Sequence, residues 1–266
     1  MPRINSPVVG SLRKNSRGNK LRLEKRLKVS ILPQPNDTTC GPTCLHAVYR
    51  YFDDKVSLTE VINEVPALAG GGTLAVFLAC HALRRGYSAK IFTYNLQIFD
   101  PTWFSGDVRI SERLRKQMAA KNDPKLHIAT LAYMEFLNLG GELRFEEMSP
   151  AIFRKYLNRG VPILTGLSAT YLYRTQREHP FTGQANDVRG EPSGHFVVLA
   201  GYDRRQRSVL VADPYLPNPV AEGHEYLVGI ERLMSSVLLG IVTYDANLLV
   251  IEPMAKIKER ISRKDT

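Results

Sequence analysis

The stretch Gln34-Pro35-Asn36-Asp37-Thr38-Thr39-Cys40-Gly41-Pro42-Thr43-Cys44-Leu45 decides how the chain is read. Its first half is loop chemistry, because Pro presets the backbone and Asn, Asp and Thr bond to it locally. Its second half starts a helix: Cys44, Leu45, Val48, Tyr51 and Phe52 recur at helical spacing. Thr38 or Thr39 is the expected cap. Cys40 therefore stands at a helix N-terminus, where free amides and the helix dipole stabilise negative charge. The thiolate is the nucleophilic form of cysteine, so this position suits a reactive thiol. Cys44 and Cys80 fall within apolar helical patterns and are expected in the core. Cys40 and Cys44 have no second ligand pair at zinc spacing, so no metal is expected.

Outward from this stretch, helices are expected at 58–65 with Ser57 as cap, at 73–85 up to Gly86, at 107–121 and 126–139, from Pro150 to Gly160, and near 231–236. Strands are expected at 27–31, 87–94, 161–167, 195–202, 208–213, 238–243 and 247–252. Helices dominate the first half and strands the second, which predicts an α+β fold. Residues 168–194 read as a long polar loop, a length that compact domains keep for functional segments.

A thiolate catalyst needs a base, and the base needs a partner that orients it. Among six histidines, His195 alone opens an apolar strand pattern, Phe196-Val197-Val198-Leu199-Ala200; a second strand pattern, Val209-Leu210-Val211-Ala212, ends at Asp213. A hairpin turning about Arg204 would set His195 directly opposite Asp213, within cross-strand contact distance. A turn displaced by one residue would leave the two offset by two positions, still within reach. The backbone N–H of Cys40 and the side-chain amide of Gln34 are candidate donors to an oxyanion.

Composition limits the alternatives. The chain has 266 residues, 44% hydrophobic and 9% aromatic, which excludes wholesale disorder. Three cysteines exclude a disulfide-built mini-protein. No apolar run is long enough to span a membrane, and a cytoplasmic location is expected. The net charge of +10 is concentrated at the ends: residues 1–28 carry +8 and 255–266 carry +3, leaving a body of −1. Such ends predict solvated tails with at most weak, salt-sensitive contact to an anionic surface, and argue against a nucleic-acid partner. The N-terminus lacks the apolar core of a secretory signal and only loosely fits an organellar targeting segment.

Gln34 and Cys40-Gly41-Pro42-Thr43-Cys44-Leu45, with Gly194-His195-Phe196-Val197-Val198-Leu199 and Ala212-Asp213-Pro214-Tyr215, resemble the bacteriocin-processing (double-glycine leader) peptidases of the papain-like superfamily. The resemblance implies a papain-like fold, a thioester mechanism and a peptide or protein substrate, with no cofactor. It assigns the nucleophile to Cys40, the base to His195, the orienting carboxylate to Asp213 and the oxyanion glutamine to Gln34. The expected plan is a basic tail over 1–26, a peptidase domain over 27–254 with a helical insertion at 107–139, and a second basic tail over 255–266. This is a stand-alone plan, without a transporter. Tyr171, Tyr173 and Arg174, in the loop before His195, are the expected substrate contacts. Two other functions fit the same residues: an acyl or peptidyl transferase resembling phytochelatin synthases, and a peptide-binding module without catalysis.

Overall fold

The computed structural model describes residues 23–180 and 182–262. Most of the expected basic N-terminal tail, and residues 263–266, lie outside the described residues. One hydrophobic core holds the rest together. It is built on an eight-stranded sheet of β1 (Lys25–Arg26), β2 (Tyr87–Thr93), β3 (Glu142–Arg144), β4 (Ile163–Ser168), β5 (Gly194–Asp203), β6 (Ser208–Ala212), β7 (Glu225–Gly229) and β8 (Asn247–Pro253). The order is β3-β2-β8-β4-β5-β6-β7, with β1 added to β5. Only β2 and β3 run parallel. The α+β class is as expected, although the sheet also draws β1 and β2 from the first half of the chain.

The central strands are nearly continuous apolar runs because they are buried on both faces. Every residue of β4 and β6 is buried, as are His195–Asp203 of β5. The helix α1 (Cys40–Tyr51) packs on β5 and is buried from Cys40 to Tyr49. A helix enclosed on all sides belongs to the core rather than the surface. The helices α2 (Leu58–Glu64) and α3 (Ala75–Arg84) pack near it, followed in sequence by α4 (Ile110–Ala120), α5 (Pro124–Asn138) and α6 (Pro150–Asn158). Ser57 caps α2 in a reciprocal box with Glu60, as its position implied. Thr39 precedes α1 without capping it: its hydroxyl donates to the Asn36 carbonyl instead.

Four expectations are corrected. The strand expected at 238–243 is the end of α8 (Ile230–Leu239) followed by one 3-10 turn, Gly240–Thr243. Its β-branched residues favour a strand, but packing decides: Leu233 and Val237 are buried on one helical face, and Gly240 seats the turn against β4. The strand expected at 27–31 has a ladder only at Lys25–Arg26; beyond it Leu27 donates to Ala200, while Leu27, Val29 and Ile31 are buried as their alternation implied. The C-terminal tail begins as a helix, α9 (Met254–Ser262). The loop at 168–194 starts with α7 (Ala169–Tyr173), capped by Ser168, and then closes on itself. There Glu178 and Glu191 exchange backbone bonds of 3.0 and 2.8 Å, and Asn186 accepts from the amides of Val188 and Arg189.

The β5–β6 register sets the geometry of the site. Next to the turn, Asp203 faces Ser208 and Gly201 faces Leu210. Past Ala200 the frame shifts by one, and Leu199 faces Val211. Ala200 is thus the extra residue of a β-bulge, and its carbonyl is taken by the Leu27 N–H at 2.7 Å. Without the bulge, Asp213 would fall opposite Val198, on the face away from His195. With it, Asp213 falls level with Val197, and His195 lies two residues along on the same face. The direct His195–Asp213 opposition expected from a turn at Arg204 is therefore replaced by a diagonal one.

Candidate active site

Three chain segments converge at one end of β5. The first turn of α1 brings Cys40, the start of β5 brings His195, and the end of β6 brings Asp213. The Cys40 thiol lies close enough to the His195 ring to raise its pKa. The ring nitrogen Nε2 lies 2.8 Å from Asp213 Oδ1. All three residues are buried; Cys40 is 7% exposed, His195 6% and Asp213 not at all.

Asp213 is held from every side. Its Oδ1 also accepts the Tyr215 N–H at 2.9 Å, and its Oδ2 accepts the hydroxyls of Tyr173 at 2.7 Å and Tyr226 at 2.6 Å. Its own N–H donates to the His224 carbonyl, which extends the β6–β7 ladder by one residue. Burial alone would push the Asp213 carboxyl up; the charge of His195, with the hydrogen bonds from His195, Tyr226 and the Tyr215 amide, brings it below the ordinary aspartate value. For His195 burial pulls down, but the Asp213 and Cys40 charges and their hydrogen bonds raise it to about 10. A buried imidazole held this way favours its protonated form, as a thiolate–imidazolium pair requires.

The core thiols behave differently. Cys44 donates to the Phe196 carbonyl at 3.2 Å, and burial drives its thiol well above the ordinary value. Burial likewise raises Cys80, to about 12. Both are core residues, as their helical positions implied.

Gln34 is on the loop entering α1, and its N–H donates to Pro214, the residue after Asp213. Its amide Nε2 donates to the Asn36 carbonyl at 3.0 Å, and its buried Oε1 has no partner. An amide nitrogen carries two hydrogens, so one donor is left. The Cys40 N–H belongs to the first turn of α1, where amides have no acceptor within the helix.

Of the expected substrate contacts, Tyr173 donates its hydroxyl to Asp213, with its ring centroid 6.0 Å from that of His195. Tyr171 is 45% exposed on α7, and Arg174 is exposed beside it with φ of 57°. Tyr226 was not found from sequence; the only signal was its alternation within the short run Glu225-Tyr226-Leu227-Val228. Among the described residues, no helix is long and apolar enough to cross a membrane.

Residues 142–227 match the model of the Peptidase_C39 like family. The match covers less than half of the chain; it includes His195 and Asp213 and begins after Cys40. No curated protein matches the chain. Among solved structures, the chain is similar to a double glycine motif protease from an AMS/PCAT transporter in complex with the leader peptide: 16% identity over 86% of this chain and 95% of that one, TM-score 0.41. It is also similar to the peptidase domain of Streptococcus ComA, a bi-functional ABC transporter involved in quorum sensing, at 12% identity over 85% and 98% of the two chains, TM-score 0.41. A third similarity is to a chain described as a C39-like peptidase from Bacillus anthracis, at 16% identity over 86% and 98%, TM-score 0.44.

Proposed function

We propose that the chain is a cysteine-type peptidase that cleaves a peptide, amide or isopeptide bond through Cys40, His195 and Asp213. One observation carries this reading: a single buried imidazole is hydrogen-bonded to a fully satisfied carboxylate and interacts electrostatically with a thiol at a helix N-terminus. A structural histidine needs no such pairing, whereas a nucleophile, its base and an orienting group need all of it. The family match over residues 142–227 supports the same reading.

In the proposed reaction the Cys40 thiolate attacks the carbonyl carbon, and the carbonyl electrons move onto oxygen. The Cys40 N–H and the free hydrogen of the Gln34 amide are the proposed donors to that oxyanion. His195 gives its proton to the leaving amine as the C–N bond breaks, leaving a thioester on Cys40. Water, deprotonated by His195, then hydrolyses the thioester and restores the thiol. Asp213 keeps the ring oriented and balances its charge.

The test uses iodoacetamide at pH 6, with the labelled cysteines read by mass spectrometry. Cys40 is expected to label rapidly while buried Cys44 and Cys80 stay unmodified, and His195→Ala is expected to slow labelling of Cys40. Cys40→Ala is expected to abolish cleavage of peptides while leaving the circular dichroism spectrum unchanged. Equal labelling of the three thiols, or cleavage that survives Cys40→Ala, would end the proposal.

A further inference from the structure

The far end of the β5–β6 hairpin carries a feature that the peptidase chemistry does not use. His195 and Asp213 lie where β5 begins and β6 ends, whereas the turn at 204–207 joins the opposite ends of the two strands. From His195 to Asp203 the strand runs about 26 Å. A cleft of about 400 Å³ opens beside the turn, a volume ordinary for a small-molecule site.

Three parts of the chain build this cleft, and each favours an anion. The turn supplies Arg204, Arg205 and Arg207, and α6 adds Arg154. Arg207 is paired with Glu231, but among the described residues no carboxylate pairs with Arg154, Arg204 or Arg205. Asp203 alone among the described lining residues is acidic, and its Oδ1 accepts the amides of Arg205 and Gln206 at 2.8 and 3.1 Å. That bonding fixes the turn from which the arginines project.

The second part is a pair of helix starts. Pro150 and Ile230 line the cleft, and they are the first residues of α6 and α8. Neither helix has a side-chain cap. An uncapped first turn, with the positive end of the helix dipole, attracts negative charge.

The third part is a hydroxyl. Ser208 opens β6 directly opposite Asp203 and lines the same cleft. It is 8% exposed, and its Oγ is buried without a hydrogen-bond partner among the described residues. A buried hydroxyl left unpaired is costly, and its hydrogen is available to an incoming oxygen. Phe153, Tyr202 and Ile230 add apolar surface.

We infer that this cleft binds a small phosphate monoester carrying an apolar ring. Arg154, Arg204, Arg205 and Ser208 hold the phosphate, and the ring lies against Phe153, Tyr202 and Ile230. The planar guanidinium fork meets two phosphate oxygens at once. A monoester presents three terminal oxygens to these donors, against two on a carboxylate.

The test uses the full chain and phenyl phosphate, with inorganic phosphate and phenol as the two halves of that probe. Binding is read by isothermal titration calorimetry at neutral pH and low salt, where charge contacts are least screened. Phenyl phosphate is expected to fill one site per chain, about tenfold or more tighter than inorganic phosphate, with phenol too weak to detect. Ser208→Ala is expected to weaken it about tenfold, the effect of one hydrogen bond to a charged group. Arg204→Gln combined with Arg205→Gln is expected to weaken it about a hundredfold. Neither variant is expected to lower the urea midpoint, since the hydroxyl is unpaired and the two arginines are exposed. Cys40→Ala is expected to bind as wild type does, so the result stands or falls apart from the peptidase chemistry. Absence of saturable binding at millimolar phenyl phosphate overturns the inference. Binding that either cleft variant leaves unchanged overturns it too, because the anion then sits elsewhere. Inorganic phosphate bound as tightly as phenyl phosphate also overturns it, leaving an adventitious ion only.

Discussion

The end of β6 and the turn before β8 each bury an aspartate, and they treat it in opposite ways. Asp213 meets four donors, from His195, Tyr173, Tyr226 and the Tyr215 amide, and lies below the ordinary carboxyl range. Asp245 meets one hydroxyl that has another acceptor in reach, keeps one oxygen unpartnered, and lies at about 7. Burial is nearly the same, so it does not distinguish them. The His195 charge against Asp213 does, together with the number of donors, because an opposite charge and each bond to the ionised form lower the carboxyl pKa. A carboxylate meant to stay charged is surrounded by N–H and O–H groups; one left short of them sits where physiological pH can change it.

Breaking the Asp213 side of this comparison has the largest expected effect. Asp213→Asn removes the charge that holds His195 protonated and puts an amide where a carboxylate accepted four bonds. The value of kcat/KM for peptide hydrolysis is expected to fall by about 10²–10⁴-fold, the usual contribution of a positioned acid–base group. A loss of less than tenfold would mean that the Asp213 carboxylate is not needed to hold the histidine. Tyr226→Phe acts on the same carboxylate more gently. One hydrogen bond to a buried charge contributes about 1.5–3 kcal/mol, so the urea midpoint is expected to fall accordingly, with the acid limb of the rate profile moving up in pH. An unchanged midpoint would show that the phenol is incidental.

The smallest effect sharpens the contrast through stability. Asp245 is raised, so its favourable contribution is full below the unfolded value of 3.8 and is lost as pH climbs through about 7. Asp213 is lowered, so its contribution is present above the unfolded value and is lost on acidification. His195, raised to about 10, stabilises below 6.5 and loses that effect on the alkaline side. Thermal midpoints at pH 5 and pH 8 are expected to show Asp245→Asn gaining on wild type at the higher pH. An equal difference at both values would assign Asp245 no titration in this window.

The sequence carried these features unevenly. Cys40 at a helix start, His195 at a strand start and Asp213 at a strand end were readable because turn chemistry and apolar periodicity mark element ends. The diagonal register was not, because nothing in Ala200 announces a bulge: its cause is the approach of the 25–27 segment, where Gly201 leaves room for the Lys25 carbonyl. The bond of Tyr173 to Asp213 was not legible, since a loop tyrosine shows nothing of the carboxylate it will meet. Asp245 stayed invisible for a different reason. Left-handed backbone is normally signalled by glycine or asparagine, and here tyrosine and alanine adopt it. Ile241-Val242-Thr243 instead suggested a strand passing straight through the turn.

The extra residue at Ala200 also has a consequence for comparing relatives by length. The 204–207 turn and the 195–213 pairing run in different frames, separated by a single alanine. Inserting or deleting one residue on either side would swap which surface of the sheet receives the acid. Lineages that keep the His–Asp contact are therefore expected to change these two sites together, one gaining where the other loses. A tree of such paired indels would record selection on parity rather than on the residues themselves.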